Sequence, residues 1–243
     1  LPTGIPTGIV DRRMTTLSQQ IPIALEVGKT RTFASALDWP GWTRSGRDEA
    51  AALDALLAYG PRYQRVISPA QLNFHAPTNL DVFEITERLA GGSSTDFGAP
   101  GVPPAADAAP VDAAERERLQ SILSACWKTF AELVASASDR PLRKGPRGGG
   151  RTVLQIADHV IESHYSYLRK IYWREPHEKV DDVSVMVEAI DHADEQALAF
   201  ATSVEMPTAG PRGGALWKPR YFVRRAAWHI LDHAWEIEDK LEP

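Results

Sequence analysis

From Tyr221 to Leu241 the apolar residues Val223, Ala227, Ile230, Ala234, Ile237 and Leu241 recur at three- and four-residue steps. Only an α-helix gathers that spacing into one stripe, and a striped helix has to be covered by other elements. Three upstream stretches offer the same period. Ala113 to Ala137 carries Leu119, Ile122, Leu123, Cys126, Phe130, Leu133, Val134 and Ala137; Thr152 to Trp173 carries Ile156, Val160, Tyr167 and Ile171; Val180 to Val204 carries Val183, Met186, Val187, Ile190, Ala197, Ala201 and Val204. Four amphipathic helices joined by short breaks predict a four-helix bundle over 113–243, with any site formed where facing helices converge.

The first part of the chain reads differently. Ile21 to Val27 and Thr32 to Leu37 are short β-branched segments around Gly28-Lys29, a hairpin signal. A turn cluster, Asp38-Trp39-Pro40-Gly41-Trp42, precedes a helix opening near Ser45 or Asp48 and running to Tyr59-Gly60-Pro61, with a second helical piece from Arg62 to Ile67. Val82 to Leu89 alternates weakly, as an edge strand does. The expected class is therefore α+β: an extension over 1–20, a small αβ domain over 21–90, a linker over 91–112 rich in Gly, Ser, Pro and Ala, and the bundle. Within the linker, Thr95-Asp96-Phe97-Gly98 is expected as a solvated loop. The extension repeats Pro-Thr-Gly, lacks the basic and apolar regions of a secretory signal, and has Met14 as an alternative start.

Net charge excludes some functions. At −5 the chain carries no electrostatic footprint for nucleic acid. No apolar run approaches the roughly 18–20 residues that span a bilayer. One cysteine, Cys126, permits no intramolecular disulfide and suits a reducing, cytoplasmic setting. Its place on an apolar stripe reads as core.

The chemistry is concentrated in histidines. His229 and His233 lie four apart on one helical face, a spacing that lets two imidazoles reach one metal ion from a single rigid element. The second bundle helix adds His159, whereas His164, five residues on, is rotated away from it. Three neutral imidazoles leave an open coordination position, as catalytic sites do. Zinc leads the metals such a set accepts, with nickel, copper or iron open. Glu236, three residues past His233, is placed either to orient an imidazole or to act as a further ligand. Arg147, in the glycine-rich stretch Arg143 to Arg151, with Arg220 and Arg224, are the residues suited to hold a carboxylate. Trp228 and Trp235 flank the histidines, either as pocket walls or as packing.

Two resemblances follow from these residues. His159 in Ile156-Ala157-Asp158-His159-Val160-Ile161-Glu162-Ser163, followed by His229-x-x-x-His233, resembles the DinB-like superfamily, which includes mycothiol-dependent maleylpyruvate isomerases and bacillithiol S-transferases. The resemblance covers about Ala113 to Leu241. It implies one divalent metal on His159, His229 and His233, and a transferase or isomerase reaction using a low-molecular-weight thiol. Many members follow the last histidine with Arg-Gly-Gln; Ala234-Trp235-Glu236 stands here, which leaves subfamily and substrate open. The phrase Asp38, Pro40, Gly41, Gly46, Asp48, Glu49 and Ala50 is similar to the αβ domain of HicB-type antitoxins, implying a structural or oligomerising module and a homodimer as a compatible state. A metal-binding stress or regulatory protein without turnover, and an antitoxin-like interaction protein, stand as the other readings.

Overall fold

The computed structural model describes residues 20–144, 150–174, 182–211 and 213–242. The extension expected over 1–20 falls outside these, apart from Gln20. Four strands, β1 (Ile21–Val27), β2 (Thr32–Ala36), β3 (Thr43–Gly46) and β4 (Phe83–Ala90), form one sheet in the order β3-β2-β1-β4. β1 pairs with β2 and β2 with β3 antiparallel, while β4 lies parallel to β1 at the far edge. A parallel neighbour needs a crossover, and α1 (Glu49–Ile67) is in the connection that provides it. Beyond it come the short α2 (Ser93–Phe97) and four long helices: α3 (Ala113–Ala137), α4 (Val153–Leu168), α5 (Val183–Ser203) and α6 (Pro219–Lys240). The class is α+β, and among the described residues no helix is long and apolar enough to cross a membrane.

β1 and β2 are buried almost throughout because both faces of the sheet are covered. Ile23 and Leu25, opposite Ala36 and Ala34, join the core that α1 builds with Leu56, Tyr63 and Ile67. The alternate residues Ala24, Glu26 and Ser35 face α6. Strand β3 was hidden inside the stretch expected as turn and helix start, and Trp42 just before it is core. Its ring is fully buried and stacked on Tyr63 at 5.9 Å, and its Nε1 donates to Leu56 O at 2.9 Å.

Two glycines of the Asp38–Ala50 phrase have no substitute. Gly41 sits at φ +94°, where an added Cβ would meet Leu231 and Ala227 of α6 at 3.1 and 3.2 Å. At Gly46 a Cβ would lie 2.4 Å from the backbone of Ala51 and Ala52. Asp48 then caps α1 by accepting from Ala51 N at 2.8 Å.

α1 does not break at Pro61, as the sequence reading expected. It runs on to Ile67, because Tyr63, Val66 and Ile67 beyond the proline are buried in the sheet core, and that burial outweighs a proline penalty of about 3 kcal/mol. The helical limits agree closely with expectation for α3. α4 is shorter than expected, closing at Leu168 into a 3-10 turn, Arg169–Ile171.

The stretch 91–112, expected as a linker, is packed onto both halves. Thr95 and Asp107 are buried within it, and of Thr95-Asp96-Phe97-Gly98, expected as a solvated loop, only Phe97 is exposed, at 91%. Glu26 of β1 holds the stretch down, accepting from the Thr95 hydroxyl at 2.5 Å and from the amides of Gly101 and Val102 at 2.9 and 3.0 Å. One continuous core joins sheet, α1 and the long helices.

Candidate metal centre

α6 presents its histidines toward α4. His229 and His233, one turn apart, have ring centroids 4.7 Å apart, and His159 of α4 comes within 5.2 and 5.0 Å of them. One ring nitrogen from each lies within 4.8 Å of the others, while His229 and His233 are buried and His159 is exposed at the mouth. The separation expected between ligand nitrogens around a tetrahedral zinc is roughly 3.3 Å, so modest ring rotations bring these three donors to coordination distance. Burial, then the adjoining His233, holds the His229 imidazole well below its ordinary pKa; partial burial, with His233 and Arg151, lowers His159. Both effects favour the neutral ring that binds metal.

Glu236 fixes the third ring. The His233 Nδ1 lies 2.7 Å from Glu236 Oε2, and Lys240 Nζ donates to Oε1 at 2.7 Å. Arg151 adds a contact to Oε2 at 3.3 Å. The His233 contact, followed by Lys240, lowers the Glu236 carboxyl to about 2 against the cost of its burial. An ionised carboxylate can only accept, so Nδ1 carries the proton and Nε2 keeps its lone pair.

The donor set fits a divalent ion. Three imidazoles from two rigid helices, one of them oriented by a carboxylate, are borderline ligands of the kind zinc, nickel and iron accept. Around them stand Tyr167, its ring 5.6 Å from that of His229, and Trp217, 5.2 Å from Tyr167.

Residues 122–237, just under half of the 243-residue chain, match the family model described as the DinB superfamily. That part of the chain is DinB-like. No curated protein and no solved structure matches the chain. The DinB-like region contains all three histidines and Glu236 and excludes the sheet.

The arginines named from sequence are placed elsewhere. Arg147 lies outside the described residues. Arg224 is buried and spent: Nε and Nη2 grip Asp107 at 2.8 and 2.7 Å, and the remaining donors reach Ala36 O and Leu37 O at 2.9 and 2.8 Å. Arg220 pairs with Glu115 and donates to Pro110 O. Arg224 therefore clamps the seam between the two halves, while Arg220 ties α6 to α3 and to the end of the stretch before it. Trp235 turns away from the histidines, packing on Tyr59 at 5.0 Å beneath the Arg44 and Arg62 guanidiniums. Trp228 packs edge-on against Phe33 of β2 at 6.0 Å.

Sequence reasoning missed Arg225. It stands four residues before His229, the same spacing that picked out His233, so the helical period carried the signal. It missed as well a fully buried cluster across α3, α4 and α5. There Asp194 binds His164 Nε2 at 2.6 Å and accepts from Trp127 Nε1 at 3.0 Å. That cluster explains where His164 goes, turned inward away from His159.

Proposed function

We propose that this protein is a divalent-metal-dependent DinB-type enzyme, a transferase or isomerase that uses a low-molecular-weight thiol, with the metal held by His159, His229 and His233. The observation that carries this reading is the convergence of three ring nitrogens within 4.8 Å, two of them on buried rings. A divalent ion on three imidazoles supplies Lewis acidity that makes a thiol nucleophilic near neutral pH. The chain's own residues supply the rest. Glu236, steadied by Lys240 and Arg151, sets the tautomer and orientation of His233. The exposed edge of His159 leaves an approach from solvent. Tyr167 and Trp217 give that approach an apolar wall.

The thiol has to come from outside. Cys126 is fully buried in the core, and burial pushes its thiol far above the range of a nucleophile. We read α3 to α6 as the four-helix bundle of the superfamily, and the sheet with α1 as a HicB-like module with a structural role. Gly41, Gly46 and Asp48 support that last reading through the turn and cap they make.

Elemental analysis of protein purified without a histidine tag tests the metal. We expect about one equivalent of zinc, nickel or iron, and a sharp loss in His229→Ala; equal metal in the variant and the parent refutes the assignment. Incubating the loaded protein with bacillithiol or mycothiol and an electrophile tests turnover, because a protein that only binds metal consumes no thiol.

A further inference from the structure

Among the described residues six buried side-chain polar atoms lack a hydrogen-bond partner, and two of them, Arg225 Nη1 and Trp228 Nε1, belong to residues lining one cavity. The cavity, about 20 Å³, lies between α6 and the face of the sheet that carries Glu26, Ser35 and Thr43. Trp228 is only 4% exposed, so its indole N–H has no recourse to bulk water. The Arg225 guanidinium stacks 4.4 Å from the Trp228 ring and 5.5 Å from that of Tyr167, and it has no ion-pair partner among the described residues.

The unmet groups are all donors. Thr43 and Ser35 pair with each other, the Thr43 hydroxyl donating to Ser35 Oγ at 3.0 Å. Glu26, the acid on this wall, is already occupied by Thr95, Gly101 and Val102, which turn its oxygens toward the segment they come from. A cavity whose unpaired buried atoms are a guanidinium N–H and an indole N–H suits a ligand that accepts. Its volume suits one or two oxygen-sized groups, since a single water needs about 10–15 Å³, and is too small for a tetrahedral phosphate. Arg225 also joins this cavity to the histidines, being one turn from His229 on α6, while the ring of Trp228 stands 6.0 Å from that of His229.

We infer that Arg225 and Trp228 form a carboxylate subsite beside the histidine cluster, and that the ligand is a small molecule carrying a carboxylate at one end and a metal-seeking group at the other. The second half of this inference rests on the metal-site proposal; the subsite does not. A guanidinium takes a planar carboxylate through two parallel N–H bonds, and stacking on Trp228 and Tyr167 holds the fork in place before the ligand arrives.

The experiment follows the Trp228 indole N–H by ¹H–¹⁵N NMR, its resonance assigned by its loss in Trp228→Phe. Sodium formate is titrated into chelator-treated, metal-free protein in chloride-free buffer. The expected result is a saturable shift of that one indole resonance, with affinity at least tenfold weaker in Arg225→Gln. Arg225→Lys, which keeps the charge and loses the fork, is expected to be several-fold weaker and covers the case in which the glutamine variant misfolds. An unmoved resonance, or an equal shift in both folded variants, overturns the subsite. In zinc-loaded protein, mercaptoacetate carries both groups and is expected to bind at least tenfold tighter than formate, with that gain reduced in Arg225→Gln. Equal affinities for the two probes overturn the link to the histidines. Because the first titration contains no metal, a failure of the metal proposal leaves its outcome readable.

Discussion

The two sides of α6 carry similar chemistry put to opposite uses. Facing the sheet, Arg224 is closed off, its guanidinium satisfied by Asp107 and two main-chain carbonyls. Facing α4, His229 and His233 are also buried, yet one ring nitrogen of each lies within 4.8 Å of the other and of one from His159. A buried polar group that is fully paired specifies how two parts of a fold dock; ring nitrogens gathered within 4.8 Å of one another are free to serve a ligand instead. Arg225 and Arg224 make the same contrast one residue apart. A single step along a helix, about 100°, takes a guanidinium from Asp107 and two main-chain carbonyls to the face of Trp228, where it has no ion-pair partner among the described residues.

The comparison is broken most severely on the closed side. Arg224→Met leaves Asp107, 2% exposed, as a buried charge without its partner, which costs about 3–5 kcal/mol. Denaturant melts should show that loss, while the metal bound per folded molecule stays at the parent value. On the open side His229→Ala should do the reverse. With zinc at roughly a hundred times its Kd the parent gains about 2.7 kcal/mol over its metal-free form, and the variant should gain nothing. Calorimetric scans with and without zinc give that difference directly. A zinc-dependent gain that survives in His229→Ala would remove the distinction between the two faces.

How much of this was legible in the chain depended on whether a signal was local. The period of α3 and the spacing of His229 and His233 are repeats within one element, and they gave the helix limits and the pair. The sheet's far edge was readable from the alternation of β4. Strand β3 was not, because its four residues, Thr43 to Gly46, are polar or small and take their place from partners outside the strand, β2 by pairing, α1 against Gly46 and Asp232 through Arg44. Nor could the chain show that Arg224 is paired, since Asp107 lies over a hundred residues upstream in a stretch whose composition reads as linker. The packing of that stretch rests on Glu26, a charged residue near the end of a buried strand, which alternation rules assign to solvent.

A finer probe of the open face is Glu236→Gln. The amide keeps the shape but no longer compels His233 to hold its proton on Nδ1, so zinc affinity should fall by about 10–100-fold, read by competition with a chelator. The same variant has a signature in acid. The carboxyl's pKa falls from 4.5 to about 2 on folding, so its contribution is fully present above 4.5 and is lost as the pH drops toward 2. Metal-free Glu236→Gln should therefore show a flatter stability profile than the parent across that window. Parallel profiles would mean that the ties from Glu236 to His233 and Lys240 do not persist in solution.

The smallest expected effects test whether the 91–112 stretch belongs to the closed side. Thr95 and Phe97 are two residues apart on α2, and composition alone would rank the aromatic as the anchor. The structure ranks them the other way, because the Thr95 hydroxyl is buried against Glu26 at 2.5 Å and Phe97 lies in solvent. Thr95→Val removes the hydrogen bond to a buried carboxylate that keeps its two backbone donors, and with it the bond the hydroxyl accepts from Gly92 N, a loss of about 2 kcal/mol. Phe97→Ser should stay within about 0.5 kcal/mol of the parent. Amide exchange at Gly101 and Val102 would sharpen the test, since those N–H groups also end on Glu26 and should lose protection in the threonine variant alone. If the phenylalanine variant were the one to lose protection, the stretch would be held by an apolar contact, and the paired-carboxylate account of the seam would fail at its outer end.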